Sequence, residues 1–228
     1  IALLEIVRPA FEAFSKLKDL NEVPIPKISW LNFGTYESIA VDLLPGLVAS
    51  LKHKLPHMRL GVRISRTSNL LTMVRKGELC SALITEVDDI DRFYTKVVAE
   101  DRLGFYISRH HPISSLGWSA LDSYGLGTLA GAKDGLPRYF TKFVKQFDLP
   151  KPSIVSDSFE TLRATAAGGA IVSLLPNRVA MRNDDLIEIK PKGEIKHLGI
   201  HKLLVVSQLS CDKEETDFIA EESAKFLN

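Results

Sequence analysis

The chain has 228 residues, 45% hydrophobic and 25% charged, with a net charge of +1, long enough for one large domain or two small ones. This balance excludes the concentrated basic face of a DNA-binding domain, and no apolar run reaches the roughly 20 residues of a membrane span. The two cysteines, Cys80 and Cys211, lie far apart and form no CxxC. Cys80 stands in the strand-like run Leu79–Ala82 and reads as a buried, reduced thiol, which fits a reducing cytoplasm better than an export compartment.

At the amino end, Leu4, Val7, Phe11 and Phe14 follow the 3-4-3 spacing of a helix seam, with Pro9 interrupting it. The segment reads either as a core helix or as the tail of a longer dimerising helix. Ile1–Glu5 lacks the basic run of a signal peptide. Pro24 and Pro26 mark residues 21–27 as a linker. Ile28, Trp30 and Phe33 then predict a strand, followed by the loop Gly34–Ser38 and a helix buried through Ile39, Leu43, Leu47, Val48 and Leu51. Met58, Leu60, Val62 and Ile64 alternate as a second strand. The loop Arg66–Asn69, a short helix ended by Gly77 and a third strand closing at Thr85 complete the set. Strands separated by helices read as βαβ units on a parallel sheet, which binds ligands at the carboxyl ends of its strands. Both hydroxyl-rich loops belong there.

Tyr94–Val98 and Leu103–Ile107 predict two more strands, and His110-His111-Pro112 breaks the pattern. A second αβ set starts near Gly125. It has a strand Gly127–Ala130 ending in Gly131, and a helix after Pro137 burying Leu136, Phe140, Phe143, Val144 and Phe147. A strand Ser153–Val155 follows, then a helix entered through Asp157 and Glu160 as an Asp-form capping box. That helix ends at Gly168-Gly169. Strands Ala170–Leu175 and Leu186–Ile189 come next, with a short helix opened by Pro176 between them. Lys190–His197 is polar and reads as a second linker. Leu203–Val206 and the helix Lys213–Leu227 finish the chain. The predicted organisation is a first lobe of residues 28–110 with 197–228, a second lobe of 111–196, and a preceding segment, 1–27. Clefts between such lobes are favoured ligand sites.

An ordered set of short motifs carries a resemblance. Phe33-Gly34 is followed by Ser38, then by Leu43-Leu44-Pro45 and Leu55-Pro56. Ser68-Asn69-Leu70-Leu71 leads to Lys76-Gly77-Glu78-Leu79. His111-Pro112, Phe159-Glu160-Thr161-Leu162, Ala167-Gly168-Gly169-Ala170-Ile171 and Leu174-Leu175-Pro176 complete it. From Ile28 to Leu227 the chain resembles the effector-binding part of LysR-type transcriptional regulators. The resemblance implies an α/β, type 2 periplasmic-binding-protein-like fold of two Rossmann-like subdomains with two crossover linkers. It implies a cytoplasmic regulatory module that senses a small molecule between its lobes and associates as a homodimer or homotetramer. Family members also carry an N-terminal winged helix-turn-helix on a long linker helix, so DNA contact is implied through that part alone. The chain departs from the family at Cys80, where an acidic residue usually follows Gly-Glu-Leu.

Effector contacts are expected from Thr35, Tyr36 and Ser38 in the first loop, Arg66, Thr67 and Ser68 in the second, and Thr85 at the end of the third strand. The second lobe contributes Gly131, Ser158 and Phe159. Each has a plainer reading: the hydroxyls of Ser38, Thr67, Ser68 and Ser158 also suit helix caps, Thr85 and Glu86 suit a loop, Arg66 the surface, and Phe159 a hydrophobic staple. Three polar helix starts around one cleft favour an anion, with Arg66 available to clamp a carboxylate. There is no GxSxG, the six histidines are scattered, and the pairs Asp88-Asp89, Asp184-Asp185 and Glu214-Glu215 read as solvated surface. No catalytic role, metal or cofactor is expected. The alternative reading, a solute-binding protein of a transport system, calls for an export signal where the regulator calls for an upstream helix-turn-helix.

Overall fold

A computed structural model describes residues 28–88, 90–111, 114–131, 135–190 and 199–227. The expected amino-terminal helix and first linker, residues 1–27, and most of the second linker, 191–198, lie outside the described residues. Strand β1 (Trp30–Thr35) runs into helix α1 (Glu37–Lys54), and β2 (Arg59–Ile64) runs into α2 (Thr67–Arg75). β3 (Ser81–Thr85) flanks β1 on the other side, and both neighbours are parallel to it. Ile39, Leu43, Leu47 and Leu51 form the fully buried stripe of α1. Each such side chain contributes about 1.5–3 kcal/mol of transfer free energy. This stripe carries the helix through Pro45, whose ring removes one i→i−4 bond. Gly77 ends α2 at φ +74°, where Glu78 and Gly77 donate to the carbonyls of Met73 and Val74.

The alternation at β2 is part core and part surface: Met58 and Leu60 pack against the first core. β2 is the outermost strand of its sheet, and Val62 and Ile64 on it are exposed. Cys80 is a half-buried free thiol just ahead of β3.

The two strands predicted between residues 94 and 107 are one 16-residue strand, β4 (Phe93–Ser108), bulged between Val97 and Ala99. Its first part, Phe93–Arg102, pairs antiparallel with β9 (Ile200–Gln208), which also pairs with β3. Its last part, Leu103–Ser108, pairs with β7 (Val172–Pro176) on one side and β8 (Leu186–Ile189) on the other. Beyond β7 lie β5 (Leu126–Leu129) and β6 (Ile154–Ser156), both parallel additions. The strand order is β2-β1-β3-β9-β4-β7-β5-β6, with β8 on β4. Pairing therefore passes from one half-sheet to the other between Arg102 and Leu103, inside a strand. The lobe boundary read from sequence, between residues 110 and 111, falls beyond that point. A twisted strand can serve two sheets without a loop, so its sequence shows no break. Leu103 N–H donates to Gly199 O at 2.8 Å, which sets the two chain passes side by side.

The second half-sheet is covered by α3 (Ala120–Tyr124), α4 (Arg138–Phe147), α5 (Phe159–Ala167) and α6 (Asn177–Ala180), and α7 (Lys213–Ala224) returns to the first. Each half has its own core. Leu31, Phe33, Leu83, Val205 and Ile219 join the α1 stripe, while Phe105, Phe140, Phe143 and Val172 fill the second. Phe105 meets Trp118 and Phe143 edge to face, at centroid distances of 5.1 and 5.6 Å. Leu136 precedes α4 and is 43% exposed, so the predicted buried stripe starts at Phe140.

Candidate functional site

The carboxyl ends of β1, β2 and β3 face the carboxyl end of β6 and the start of α5. The geometry at these ends is set by Tyr36, the residue that enters α1. Its hydroxyl stands 2.8 Å from Thr67 Oγ1 and accepts the backbone N–H of Thr85. Burial pushes this phenol above its ordinary pKa, against the hydrogen bonds from Thr67 and Thr85, so it is neutral at physiological pH. Tyr36, Thr67 and Thr85 are thus drawn together from three loops.

Neither of the first two helices is capped by a side chain. Tyr36 and Arg66 occupy the cap positions of α1 and α2, which leaves Ser38, Thr67 and Ser68 inside the first turns. The Ser38 hydroxyl is buried, with no hydrogen-bond partner among the described residues. Ser68 is exposed. Thr35 is fully buried and donates to Leu83 O at 3.0 Å, which ties β1 to β3.

The second lobe answers across the gap. Ser158, not Asp157, is the cap of α5, because the Ser158 hydroxyl receives Thr161 N–H at 3.2 Å. The same hydroxyl donates to Glu37 Oε2 at 2.7 Å, the first residue of α1. Asp157 instead pairs with Arg66, which also donates to Gly131 O at 3.4 Å. Both Arg66 and Asp157 are exposed. Phe159 packs against the Leu162–Leu175 cluster and serves that core.

Behind the helix starts lies a set of groups that sequence reasoning missed. Arg178 of α6 reaches Asp42 of α1 at 2.7 Å and Asp101 of β4 at 3.0 Å. Arg182 meets the other oxygen of Asp42 at 2.5 Å and pairs with Glu160 of α5. Both arginines donate to Ser38 O. These side chains are at most about one-fifth exposed. Nothing in the sequence links position 42 with 178 or 182; only the fold does. Thr128 of β5 and Tyr139 of α4 were missed too. Thr128 is fully buried, with its hydroxyl beside that of Tyr139. Burial raises the Tyr139 phenol well above its usual range, with Thr128 beside it pulling the other way and Tyr36 near enough to add repulsion.

Opposed helix starts are joined here by direct bridges, and behind them Asp42 ties α1 to Arg178 and Arg182. A separate apolar depression bounded by Ile28, Lys54, Pro56 and Met58 sits at the start of β1, away from these carboxyl ends. Among the described residues no three side chains are grouped to hold a metal, and no helix is long and apolar enough to cross a membrane.

Residues 29–201 match the family model described as the LysR substrate binding domain. Among solved structures, the chain is similar to a mutant regulatory domain of OxyR2 from Vibrio vulnificus with sulfate bound. The TM-score is 0.69 at 23% identity, over 91% of this chain and 100% of that one. It is similar to a full-length OxyR mutant from Pseudomonas aeruginosa (0.69, 18% identity, 98% of this chain and 78% of that one). It also resembles an OxyR mutant from Corynebacterium glutamicum (0.70, 16%, 98% and 72%). At these identities the likeness speaks for the fold. No curated protein matches.

Proposed function

Because the chain belongs to the LysR substrate-binding-domain family, we propose that it is the ligand-sensing module of a transcriptional regulator and binds a small-molecule effector between its lobes. The supporting observation is the pair of bridges at the cleft, Ser158 to Glu37 and Asp157 to Arg66, which join helix starts from opposite lobes. An effector inserted there changes which lobe positions are populated, and it does so only through its different affinity for them. Tyr36, Ser38, Arg66, Thr67, Thr85, Gly131 and Ser158 are the proposed surroundings. Thr35 serves the sheet and Phe159 the core. The expectation of a carboxylate effector rests on Arg66 and the helix starts, and the sulfate carried by the Vibrio domain is in keeping with an anion.

The module acts in the cytoplasm by binding, not catalysis, as part of a homodimer or homotetramer, and DNA recognition belongs to a winged helix-turn-helix of the parent regulator. A thermal-unfolding screen against small metabolites tests the central claim. A true effector at about one hundred times its Kd raises stability by roughly 2.7 kcal/mol along a saturable curve. Saturable binding that survives replacement of Tyr36 and Ser158 together would remove the cleft from consideration.

A further inference from the structure

The apolar depression at the start of β1 has a volume of about 290 Å³ and opens to solvent. Ile28, Leu55, Pro56 and Met58 are its apolar walls. Backbone bonds fix their places. Leu55 N–H donates to Leu51 O at 2.7 Å, Met58 N–H to Leu55 O at 3.0 Å, and Arg59 N–H to Ser29 O at 3.0 Å. Leu55 and Met58 also pack against the first core, so the surface is preformed and a guest costs it little ordering. Sites for small molecules run from about 300 to 1,000 Å³ and enclose most of the ligand. An open depression below that range suits a few aliphatic side chains better than a free ligand.

Chain continuity points to the guest. Ile28 is both a wall and the first described residue, so the preceding chain enters beside the depression. That chain reads Val23-Pro24-Ile25-Pro26-Lys27. Each proline fixes its own φ at about −65° and pushes the residue before it out of the helical region. Val23 and Ile25 are thereby restricted to extended backbone, where residues two apart share one side. The segment offers two apolar, β-branched side chains along one edge, with little freedom left to lose on docking. Ile25 lies three residues before Ile28, a reach of at most about 11 Å, and Val23 five, at most about 18 Å. So short a tether gives the chain's own segment an effective concentration of millimolar order, against which a second copy must compete.

We propose that the depression is the seat of this chain's own residues 23–26, with Ile25 and Val23 against Leu55, Pro56 and Met58. So seated, the preceding residues leave the first lobe in one direction, and movement of that lobe is passed to them.

The chain has three methionines, Met58, Met73 and Met181, which makes methyl NMR of the whole chain a direct test. With the Met ε and Ile δ1 methyls isotopically labelled, a nuclear Overhauser cross-peak should join Ile25 to Met58. It should persist when labelled chain is mixed with a large excess of unlabelled chain. Val23→Asp with Ile25→Asp should move the Met58 methyl resonance. Met73 on α2 and Met181 at the end of α6 should stay in place, reporting that both lobes remain folded. Ile25→Leu, which keeps an apolar side chain, should leave Met58 near its parent position. No cross-peak, or a Met58 resonance unmoved by the two aspartates, overturns the proposal. A cross-peak that vanishes in the mixed sample assigns the depression to a second copy's segment and overturns it equally.

Discussion

Tyr36 shows how a single residue organises the first lobe's contribution. Its hydroxyl joins Thr67 of α2 to the backbone of Thr85, so one phenol orders two loops. Tyr36→Phe leaves the Thr85 N–H without its acceptor and should lower unfolding free energy by about 1–3 kcal/mol, measured by urea titration. Thr67→Ala removes one neutral bond and should cost less, about 0.5–1.5 kcal/mol. A second residue-scale expectation concerns pH. Burial lowers the pKa of His201 below its ordinary 6.5, with Asp101 opposing and Arg178 adding to the shift. The folded state therefore binds this proton less readily than the unfolded chain. Stability contributed by neutral His201 is intact above 6.5 and is lost as pH falls from there through the folded value. His201→Gln should flatten that part of the stability–pH curve, and an unchanged slope would exclude His201 as its source. At this scale sequence was a partial guide. It marked Tyr36, Thr67 and Ser158 as polar residues at helix starts, but whether a hydroxyl there caps, bridges or stays unpaired depends on what faces it from another segment.

Helix α1 faces three ways at once. Its buried stripe anchors it to β1, its first turn lines the cleft, and Asp42 ties it to α6. Asp42 bridges Arg178 and Arg182 with both carboxylate oxygens, at 2.5–2.7 Å. Asp42→Ala leaves two half-buried guanidiniums short of a partner and should cost about 2–4 kcal/mol. A double-mutant cycle of Asp42→Asn with Arg182→Gln should show a coupling of about 0.5–3 kcal/mol. Strict additivity would mean that the bridge does not hold the lobes together. On the opposite side of α1, Gly46 lets the Phe226 ring lie against the helix backbone, where a Cβ would collide with it. Gly46→Ala should therefore destabilise despite alanine's better helix propensity. Phe226→Leu in the same chain should recover part of the loss, as read by Tm. Neither partnership was visible in the helical periodicity, which reports only that a face is apolar and says nothing about which element covers it.

For the molecule as a whole, the edge strand β2 matters most. Phe33 pairs with Val62 and Thr35 with Ile64, so Val62 and Ile64 lie on the same face of the sheet as the residues that pack under α1. Val41 of α1 is also exposed, at 49%. A strand outermost among the described residues, with exposed apolar side chains beside a half-covered helix, is a surface suited to a second copy of the chain. Sedimentation at high micromolar concentration should show a dimer or larger species, and Val62→Asp with Ile64→Asp should shift it towards monomer. A strict monomer in the parent chain would count against the proposed oligomer. The crossing inside β4 has a related consequence. Since one strand belongs to both half-sheets and Gly199 is bonded to Leu103, lobe movement must twist β4 where its pairing passes from β9 to β7.

What the residues determined by themselves was whatever depends on local repetition. Period-two and period-3.6 patterns placed β1, α1, α2, β5, α4, α5 and α7, and Gly77 and Gly168-Gly169 marked helix ends, because backbone geometry imposes those periods on any chain. The ordered motifs from Phe33-Gly34 to Leu174-Leu175-Pro176 carried the family and, with it, the two-lobed fold. Tertiary structure alone decided everything that needs two distant segments in register. It made β4 a single strand shared by both half-sheets and left Val62 and Ile64 of β2 on the surface. It moved the α5 cap from Asp157 to Ser158, gave Asp157 to Arg66, and bound Asp42 to Arg178 and Arg182. The physical reason is the range of the forces. A helix cap or an amphipathic stripe is settled within a few residues, whereas a carboxylate's partner is whichever cation the fold brings within about 4 Å, and sequence separation carries no information about that distance.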